Sequence, residues 1–209
     1  EVKGDKVIQI GTTFWRYGDE KPIYNNMITL KNTDQLPNID VYSYQTERQV
    51  LMEWAHMIKV YDPDIILGYN IFGFDETFLN NRALELLAKG NLKNPDYLKF
   101  LNLGRLKEKT YKNIWSCRGK LMKKKLASSA LGSNFLEYFN MPGRVQIDLL
   151  KVIQGGLTKL DSYKLDNVAE FYISGKITQQ VIDDPNKTTY KVSNIKELED
   201  GNYIKITLK

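Results

Sequence analysis

The apolar residues of this chain follow two different spacings, which predict two kinds of element. Runs rich in β-branched and aromatic residues predict strands, because these side chains fit a pleated sheet. Runs in which apolar residues recur every three or four positions predict helices. In the first half of the chain these runs predict strands at residues 7–15, 26–30, 39–44 and 65–69, and helices that begin near residues 47 and 75. Strands that alternate with helices indicate an α/β sheet.

Residues suited to capping stand at the predicted ends of both helices. Thr46 precedes the first helix, where its side-chain oxygen can accept a hydrogen bond from an otherwise unpaired amide. Asp75 can cap the second helix in the same way. Gly90 follows the predicted end of the second helix near residue 88, and glycine tolerates the left-handed turn that often ends a helix. We therefore expect Thr46 and Asp75 to be N-caps.

The second half of the chain predicts a longer irregular segment before regular elements return. Residues 105–142 are basic and then rich in serine, and we expect them to form an irregular arm or a β-hairpin. A predicted strand at residues 144–147 follows. It is succeeded by predicted helices at residues 148–154 and 163–172.

Beyond Gly175 the pattern changes to short alternating runs separated by turn-rich segments. These runs predict strands at residues 176–182, 188–192 and 203–208. The chain therefore divides into an α/β domain over residues 1–173 and a β-rich extension or insertion over residues 174–209. For the second part, a small β element that shields a surface is favoured over one with a function of its own.

Length and composition exclude several classes of protein. The chain has 209 residues, of which 42% are hydrophobic, and this suits one or two globular domains. No apolar run approaches the roughly 20 residues that a membrane span needs, and the first residues lack the apolar core of a signal peptide. The single cysteine, Cys117, excludes an intrachain disulfide and a cysteine-cluster zinc site, and we expect it to be inert. These features fit a reducing, intracellular compartment and no secretion.

Positive charge is concentrated in one segment. The net charge of the chain is +5, whereas residues 105–125 alone contain nine basic residues and one acid. Tyr111 and Trp115 lie among them, and cations with interleaved aromatic rings suit a nucleic-acid backbone and its bases. A solvated lysine-rich loop is the alternative, and composition leaves both open. The residues that we expect to bind nucleic acid are Lys112, Arg118, Lys120, Lys123, Lys124 and Lys125.

The strongest candidate for chemistry follows the predicted strand at residues 65–69. Asn70, Phe74 and Asp75 stand at its carboxyl end, which is where open α/β sheets place their ligands. A carboxylate in this position can hold a divalent metal against a phosphate, because hard cations such as Mg²⁺ prefer oxygen ligands. A helix cap is the simpler role for Asp75, and both roles can hold together.

This segment resembles the second exonuclease motif of family B DNA polymerases. That motif has the pattern Tyr-Asn-x-x-x-Phe-Asp after a strand ending in Asp-Ile-Ile-x-Gly, and residues 64–75 match it. Three further segments resemble the family in the expected order. Residues 7–11 resemble the strand after its first exonuclease motif, residues 143–150 a signature of its delta-type branch, and residues 162–169 the next helix of that branch. The resemblance covers about residues 6–173, and the serine-rich segment and the final β unit are most similar to polymerases of large DNA viruses.

The resemblance implies a ribonuclease H-like domain with 3′→5′ exonuclease proofreading activity. In that family two Mg²⁺ ions, for which Mn²⁺ can substitute, are held by carboxylates from three separated motifs. By the same resemblance Asp75 would be a catalytic metal ligand, Asn70 would orient the terminal nucleotide or the site, and Phe74 would be the packing residue that fixes the turn. The segment at residues 105–142 lies where the family carries a β-hairpin that helps to move the primer end.

The resemblance also implies partners and a place of action. These are the single-stranded 3′ end and primer-template DNA, the polymerase domain of the same polypeptide, and a sliding clamp. The expected location is an intracellular site of viral or nuclear DNA replication. A non-catalytic module that binds single-stranded nucleic acid on an exonuclease-like fold remains the alternative function.

Two of the family's three motifs are missing from this sequence. No aspartate is followed two positions later by glutamate, and Tyr163 is followed four positions later by Asn167 rather than aspartate. The sequence also lacks an initiator methionine. We therefore expect the chain to begin inside a longer protein, with the first motif before Val7 and the third beyond Lys209. One carboxylate cannot offset the repulsion between two cations, so the isolated chain is expected to be an incomplete and inactive exonuclease domain.

For two other candidate residues, Asp148 and His56, we expect structural roles. Asp148 follows a strand, as Asp75 does, but we expect it to cap the next helix rather than to bind metal. The single histidine, His56, shares a predicted helix with Trp54 and Met57. It is expected to be a helix-surface or packing residue.

Overall fold

The computed structural model describes residues 4–106, 121–128, 132–156 and 159–193, together with residues 201, 204 and 206. The chain forms two compact units, Glu1–Gly156 and Leu157–Lys209. This division lies 17 residues before the boundary expected at residue 173, and that boundary stays a prediction. The architecture is mixed α/β, as the order of apolar spacings predicts.

The first unit contains seven described strands in three small sheets. In chain order they are β1 (Gln9–Phe14), β2 (Tyr24–Leu30), β3 (Asp40–Tyr44), β4 (Ile65–Gly68), β5 (Leu121–Ser128), β6 (Gly132–Phe139) and β7 (Val145–Asp148). β1 and β2 pair antiparallel, and β3 joins β2 in parallel. β4 and β7 form a parallel pair in which Gly68 lies opposite Asp148. β5 and β6 form an antiparallel hairpin within the basic segment.

In the described part of the first unit, four α-helices accompany these strands. They are α1 (Glu47–Tyr61), α2 (Asp75–Ala83), α3 (Pro95–Leu101) and α4 (Leu149–Gln154). The predicted helix from residue 75 to residue 88 is present, but its last turn, Leu84–Ala88, is π-helical. Lys89 and Gly90 then take positive φ angles and end it. The helix α3 was not predicted, although Asn94 caps it and Pro95 occupies its first position.

Thr46 caps α1 as predicted. The Gln49 amide donates to Thr46 Oγ1 at 3.3 Å, and the Thr46 amide donates to Gln49 Oε1 at 3.1 Å. These reciprocal bonds form a capping box, which satisfies amides that would otherwise lack partners. The helix consequently starts at one defined residue, and its apolar stripe faces the sheet.

The core of the first unit lies between the β1–β2–β3 sheet and the helices α1 to α3. Large side chains from β2, α1, the π-helical turn, α3, the loop after α3 and β6 meet there almost without solvent contact. They are Ile28, Val50, Leu51, Leu87, Phe100, Leu103 and Phe139. Phe139 is the last residue of the hairpin, so the core also holds the base of the hairpin.

A buried ion pair joins α1 to α2. The Arg82 guanidinium donates to both carboxylate oxygens of Glu47 at 2.7 Å, and the Val7 amide donates to the same carboxylate at 2.9 Å. Both charged side chains are 6% exposed. Burial acts to raise the pKa of Glu47, but the hydrogen bonds from Arg82 and Val7 outweigh it and hold that pKa below its usual value. The pair therefore fixes the two helices and the start of the chain to one another.

The second unit contains a helix and a hairpin. The helix is α5 (Leu165–Ile173), and the antiparallel strands are β8 (Ile177–Asp184) and β9 (Lys187–Val192). The strands predicted at residues 176–182 and 188–192 are confirmed, whereas the one predicted at residues 203–208 lies mostly outside the described residues. Within the described part of the chain, no helix is both long and apolar enough to cross a membrane.

Candidate active site

The turn between β4 and α2 carries the candidate residues. Asn70 has a φ of 60°, a left-handed conformation that asparagine adopts more readily than most residues. Its carbonyl oxygen accepts hydrogen bonds from the amides of Gly73 at 3.1 Å and Phe74 at 3.0 Å. A Cβ atom on Gly73 would lie 2.4 Å from Asn70 Oδ1, so the close approach of the Asn70 side chain requires glycine there. The turn thus has a specific backbone path that ends at Asp75.

Asp148 holds this turn in place. It lies opposite Gly68 in the parallel β4–β7 pair and is only 3% exposed. Its Oδ1 accepts from the amides of Asn70 at 2.8 Å and Leu150 at 3.0 Å, and its Oδ2 accepts from the amide of Phe72 at 3.2 Å. The predicted role of Asp148 as the cap of the following helix is confirmed. Sequence reasoning missed its second role, because only the strand pairing brings it to the turn.

Asp75 begins α2 but does not cap it. The N-cap position belongs to Phe74, and no side chain caps this helix, so the expected capping role of Asp75 is wrong. The reason is that the backbone of the turn already bonds the first amides: Phe74 to Asn70, and Glu76 to Ile71. The Asp75 carboxylate is exposed. Partial burial and the nearby charge of Asp148 raise its pKa, although its own amide acts in the opposite direction.

A divalent metal would find one suitable ligand on this turn. The Asp75 carboxylate supplies an exposed hard oxygen donor, whereas both oxygens of Asp148 are occupied by backbone amides. Within the described ranges, no three or more His, Cys, Asp or Glu residues group so as to hold a metal ion. The donor chemistry of Asp75 therefore fits one ligand of a magnesium site and not a complete ligand set.

Phe74 is not a core residue. Its side chain is 58% exposed, and its ring stacks parallel to that of Phe78 with 5.9 Å between centroids. Phe78 packs against the core cluster, whereas Phe74 is absent from the part of that cluster that the structure describes. We therefore correct the packing role expected for Phe74. Asp148 fixes the turn, and the Phe74 ring is available at the surface beside Asp75.

The base of the β5–β6 hairpin is fastened to the candidate turn. The Glu137 amide donates to the carbonyl oxygen of Phe72 at 3.0 Å, and the Phe139 amide donates to Glu76 Oε2 at 2.5 Å. The hydroxyl of Thr77, two residues beyond Asp75, donates to Glu137 Oε2 at 3.0 Å. The strand β6 is thus held at one point to the turn and at two points to the start of α2.

Glu76 is a site residue that sequence reasoning missed. It is 4% exposed and directly follows Asp75. Burial is the main cause that raises its pKa to about 8; the Phe139 amide opposes this shift, and the charges of Asp75 and Asp148 add to it. Its neighbour Thr77 is also polar, so periodicity did not mark Glu76 as buried. The acid fastens the hairpin and does not offer a second exposed carboxylate.

Three of the six candidate nucleic-acid-binding residues lie on the described part of the hairpin. Lys123, Lys124 and Lys125 are exposed on β5. Lys123 pairs with Glu137 at 2.5 Å, which lowers the pKa of Glu137, and Lys125 lies over the ring of Phe135 at 5.8 Å. Lys112, Arg118 and Lys120, like Cys117, lie outside the described residues. The exposed lysines therefore line a hairpin whose base contacts the Asp75 turn.

His56 is exposed on α1, as expected for a helix-surface residue. The residues around it belong to β3, α1 and α3, and none of them is part of the candidate turn.

Comparison with known proteins decides the family. The family model described as "DNA polymerase family B, exonuclease domain" matches residues 1–168. The chain belongs to this exonuclease domain family. The match includes β4, the Asn70–Asp75 turn and the lysine-bearing hairpin, so the family resemblance drawn from residues 64–75 is confirmed.

The relatives of this exonuclease domain include viral and cellular polymerases. The chain is 43% identical over 205 residues to a DNA polymerase of Pyramimonas orientalis virus, covering 98% of this chain and 15% of that protein. It is 36% identical over 173 residues to the DNA polymerase delta catalytic subunit of Dictyostelium discoideum, covering 83% of this chain and 14% of that protein. With the corresponding subunit of Glycine max it is 33% identical over 202 residues, 97% of this chain and 16% of that protein. The chain thus spans about 15% of the length of these curated relatives.

Proposed function

We propose that this exonuclease domain serves 3′→5′ proofreading in a family B DNA polymerase, with Asp75 as one of its metal ligands. The observation that carries the proposal is the exposed Asp75 carboxylate at the carboxyl end of β4, on a turn whose backbone Asp148 holds with two hydrogen bonds. A ligand on a fixed backbone places its oxygen without further ordering, and such preorganisation is what metal-assisted hydrolysis requires.

Asp75 would hold a divalent cation, and in a complete site such cations supply an activated water and stabilise the leaving 3′ oxygen. Asn70 would orient the terminal nucleotide beside Asp75, because its left-handed backbone presents its side chain across Gly73. The exposed ring of Phe74 would contact the terminal base or sugar. This sequence contains no Asp-x-Glu and no Tyr-x-x-x-Asp, so a two-metal site needs carboxylates that this chain does not have.

The proposal includes a ribonuclease H-like fold for the complete domain. An antiparallel β1–β2 hairpin and a parallel β4–β7 pair followed by helices suit such a mixed sheet. Among the described strands, β1 and β4 each pair on one side only. Ile65, Leu67 and Val145 of the parallel pair are exposed, whereas parallel sheets normally have both faces covered. Further strands and packing from the rest of a larger polypeptide would complete this sheet.

The proposed partners follow from the same assignment. Primer-template DNA with a single-stranded 3′ end would be the substrate, and a polymerase domain of the same polypeptide would deliver it. A sliding clamp would be a partner of that larger protein. Its place of action would be an intracellular site of viral or nuclear DNA replication.

Replacing Asp75 with asparagine is expected to abolish Mn²⁺ binding at the β4–α2 turn, because asparagine lacks the anionic oxygen. Mn²⁺ should broaden the backbone amide signals of residues 70–75 in NMR spectra of the unaltered chain and not in those of Asp75→Asn. Asp64→Asn is the matched control, since Asp64 lies at the other end of β4 and its carboxylate is 85% exposed. Equal broadening in the chain and in Asp75→Asn would contradict the metal-ligand role.

The unaltered chain and Asp75→Asn also serve to test exonuclease activity. On a 3′-ended single strand with Mg²⁺, the chain and Asp75→Asn should release nucleotides at the same background rate. The reason is that one carboxylate cannot offset the repulsion of two cations at close range. Rapid digestion that disappears in Asp75→Asn would overturn the proposed inactivity of the isolated chain.

Replacing Lys123, Lys124 and Lys125 together with alanine is expected to weaken binding of a single-stranded oligonucleotide. If all three contact phosphates, the slope of log K against log salt should flatten by about 2, since each contact contributes about 0.7 for single strands. Fluorescence anisotropy at several salt concentrations measures this slope.

A second triple variant controls for net charge. Lys21, Lys176 and Lys187 are exposed lysines outside β5 and β6, and their replacement by alanine removes the same charge. Its salt slope should match that of the unaltered chain. An unchanged slope in the hairpin variant would refute DNA contact by these lysines. Oligonucleotide binding without any Asp75-dependent metal binding would favour the alternative function, a non-catalytic module.

A further inference from the structure

A cavity of about 260 Å³ lies against one face of α1. None of its lining residues belongs to the Asn70–Asp75 turn. The cavity is bordered by β3 on one side and by α3 on the other. Its wall contains three basic side chains, one acid, one amide and an apolar patch. The lining residues are Tyr44, Gln49, Met52, Glu53, Ala55, His56, Lys59 and Lys99.

Two lysines, Lys59 and Lys99, line this cavity. The Lys59 ammonium donates to the backbone carbonyl oxygen of Lys99 at 3.3 Å, which uses one of its three N–H groups. Burial and then the charge of Lys99 lower the pKa of Lys59. The structure gives neither lysine an ion pair with any residue it describes. Both lysines line the same cavity, so an anion bound there would lie against two positive charges.

The acid in the cavity wall does not fill this role. Burial, and after it the nearby Glu53 carboxylate, raise the pKa of Tyr44 to about 12. The Glu53 carboxylate therefore lies near the Tyr44 hydroxyl, on the β3 side of the cavity. Counting Lys59 and Lys99 against Glu53, the lining residues retain a positive excess of one charge.

We propose that this cavity binds a phosphate-bearing ligand no larger than about one nucleotide. A doubly charged phosphate has enough oxygen acceptors to bond Lys59 and Lys99 together, with His56 as a further donor. The side chains of Met52 and Ala55 and the ring of Tyr44 supply an apolar surface for a sugar or base. The volume of about 260 Å³ lies just below the usual lower limit of about 300 Å³ for small-molecule pockets, so a small ligand fits it best.

The phosphate can come from two sources, a free mononucleotide or a phosphate within a DNA strand. Calorimetric titration of the 209-residue chain with deoxyadenosine monophosphate, inorganic phosphate and deoxyadenosine gives the first arm. We expect the two phosphate compounds to bind and deoxyadenosine to bind at least about tenfold more weakly, since a charged hydrogen bond contributes about that factor. Competition between the monophosphate and a single-stranded oligonucleotide gives the second arm. Displacement shows that a strand phosphate enters the cavity, and independent binding assigns it to free nucleotide.

Lys59→Met with Lys99→Met is the decisive variant, because methionine keeps most of the stem and removes the charge. Monophosphate affinity should fall at least about tenfold, while Lys21→Met, an exposed lysine outside the cavity, should leave it unchanged. Equal affinity in the double variant, or no binding to the unaltered chain, would overturn the proposal. Thermal unfolding of each variant checks that the fold persists. Asp75→Asn should also bind the monophosphate normally, so failure of the exonuclease proposal and failure of this one are distinguishable.

Discussion

Replacing Arg82 with methionine is expected to lower the free energy of unfolding by about 3–5 kcal/mol. That is the usual cost of removing one partner from a buried ion pair. In the variant the buried Glu47 carboxylate keeps the hydrogen bond from the Val7 amide and loses those from Arg82. Urea unfolding followed by tryptophan fluorescence measures the loss, since Trp54 packs against the core between Phe100 and Phe139.

The pH dependence of this loss identifies its cause. In the unaltered chain the pKa of Glu47 is depressed. Its stabilising contribution is therefore present above the ordinary glutamate pKa, near 4.3, and is lost as pH falls through the lower folded value. Without Arg82 the buried carboxylate favours protonation, so the difference between the two proteins should be largest near pH 7 and shrink towards pH 4. A difference that does not change with pH would point to lost packing instead.

Arg48→Met is the control for Arg82→Met. Arg48 also pairs with an acid, Asp96, at 2.5 Å, but those side chains are 50% and 43% exposed. Exposed pairs contribute about 0–1 kcal/mol because water screens them. A loss above about 2 kcal/mol in this control would show that burial is not what separates the two pairs.

Replacing Asp148 with alanine is expected to cost roughly 2–4 kcal/mol of stability and to disorder the candidate turn. The substitution leaves the amides of Asn70, Phe72 and Leu150 without their acceptor, and a buried unpaired donor costs about 1–3 kcal/mol. Hydrogen exchange at the amides of Asn70 and Phe72 should accelerate more than exchange in α1. Guanidinium unfolding gives the change in free energy.

Two further substitutions make the Asp148 result specific. Asp148→Asn keeps Oδ1 as an acceptor but sets a side-chain amide against the Phe72 amide, so it should lie between the chain and Asp148→Ala. Asp34→Ala removes an exposed aspartate and should change stability by less than about 0.5 kcal/mol. If Asp148→Ala left the exchange of Asn70 and Phe72 unchanged, Asp148 would not be what holds the turn.

Local signals in the sequence predicted much of the fold because they act over a few residues. Thr46 and Gln49 are three positions apart and define the start of α1. Asn94 and Pro95 carried an equally local signal for α3, since an asparagine cap followed by proline is typical of a helix start. The sequence could therefore have predicted that helix as well. The carboxylate Asp75 was found from its place after an apolar strand.

The parts of the site that escaped prediction depend on contacts between distant residues. Asp148 reaches Asn70 across 78 positions, and Glu76 reaches Phe139 across 63. Nothing in the spacing of apolar residues specifies these pairs, because they arise from strand pairing and from the docking of the hairpin. The wrong expectation that Asp75 caps α2 has the same origin. The turn held by Asp148 satisfies the first helical amides through backbone oxygens and leaves the Asp75 side chain exposed.

Among the strands that the structure describes, β1 and β4 each have one edge without a partner strand, and this has a consequence for handling the isolated chain. An exposed strand edge presents a row of amide and carbonyl groups that can template pairing with another chain. Around β4 the neighbouring side chains Ile65 and Leu67 are apolar and exposed, so few charges oppose such pairing. At high protein concentration, copies of this chain should consequently self-associate by pairing their strand edges. Self-association would appear as light scattering that grows with protein concentration. Leu67→Lys should reduce this scattering, because it places a charge beside the strand edge.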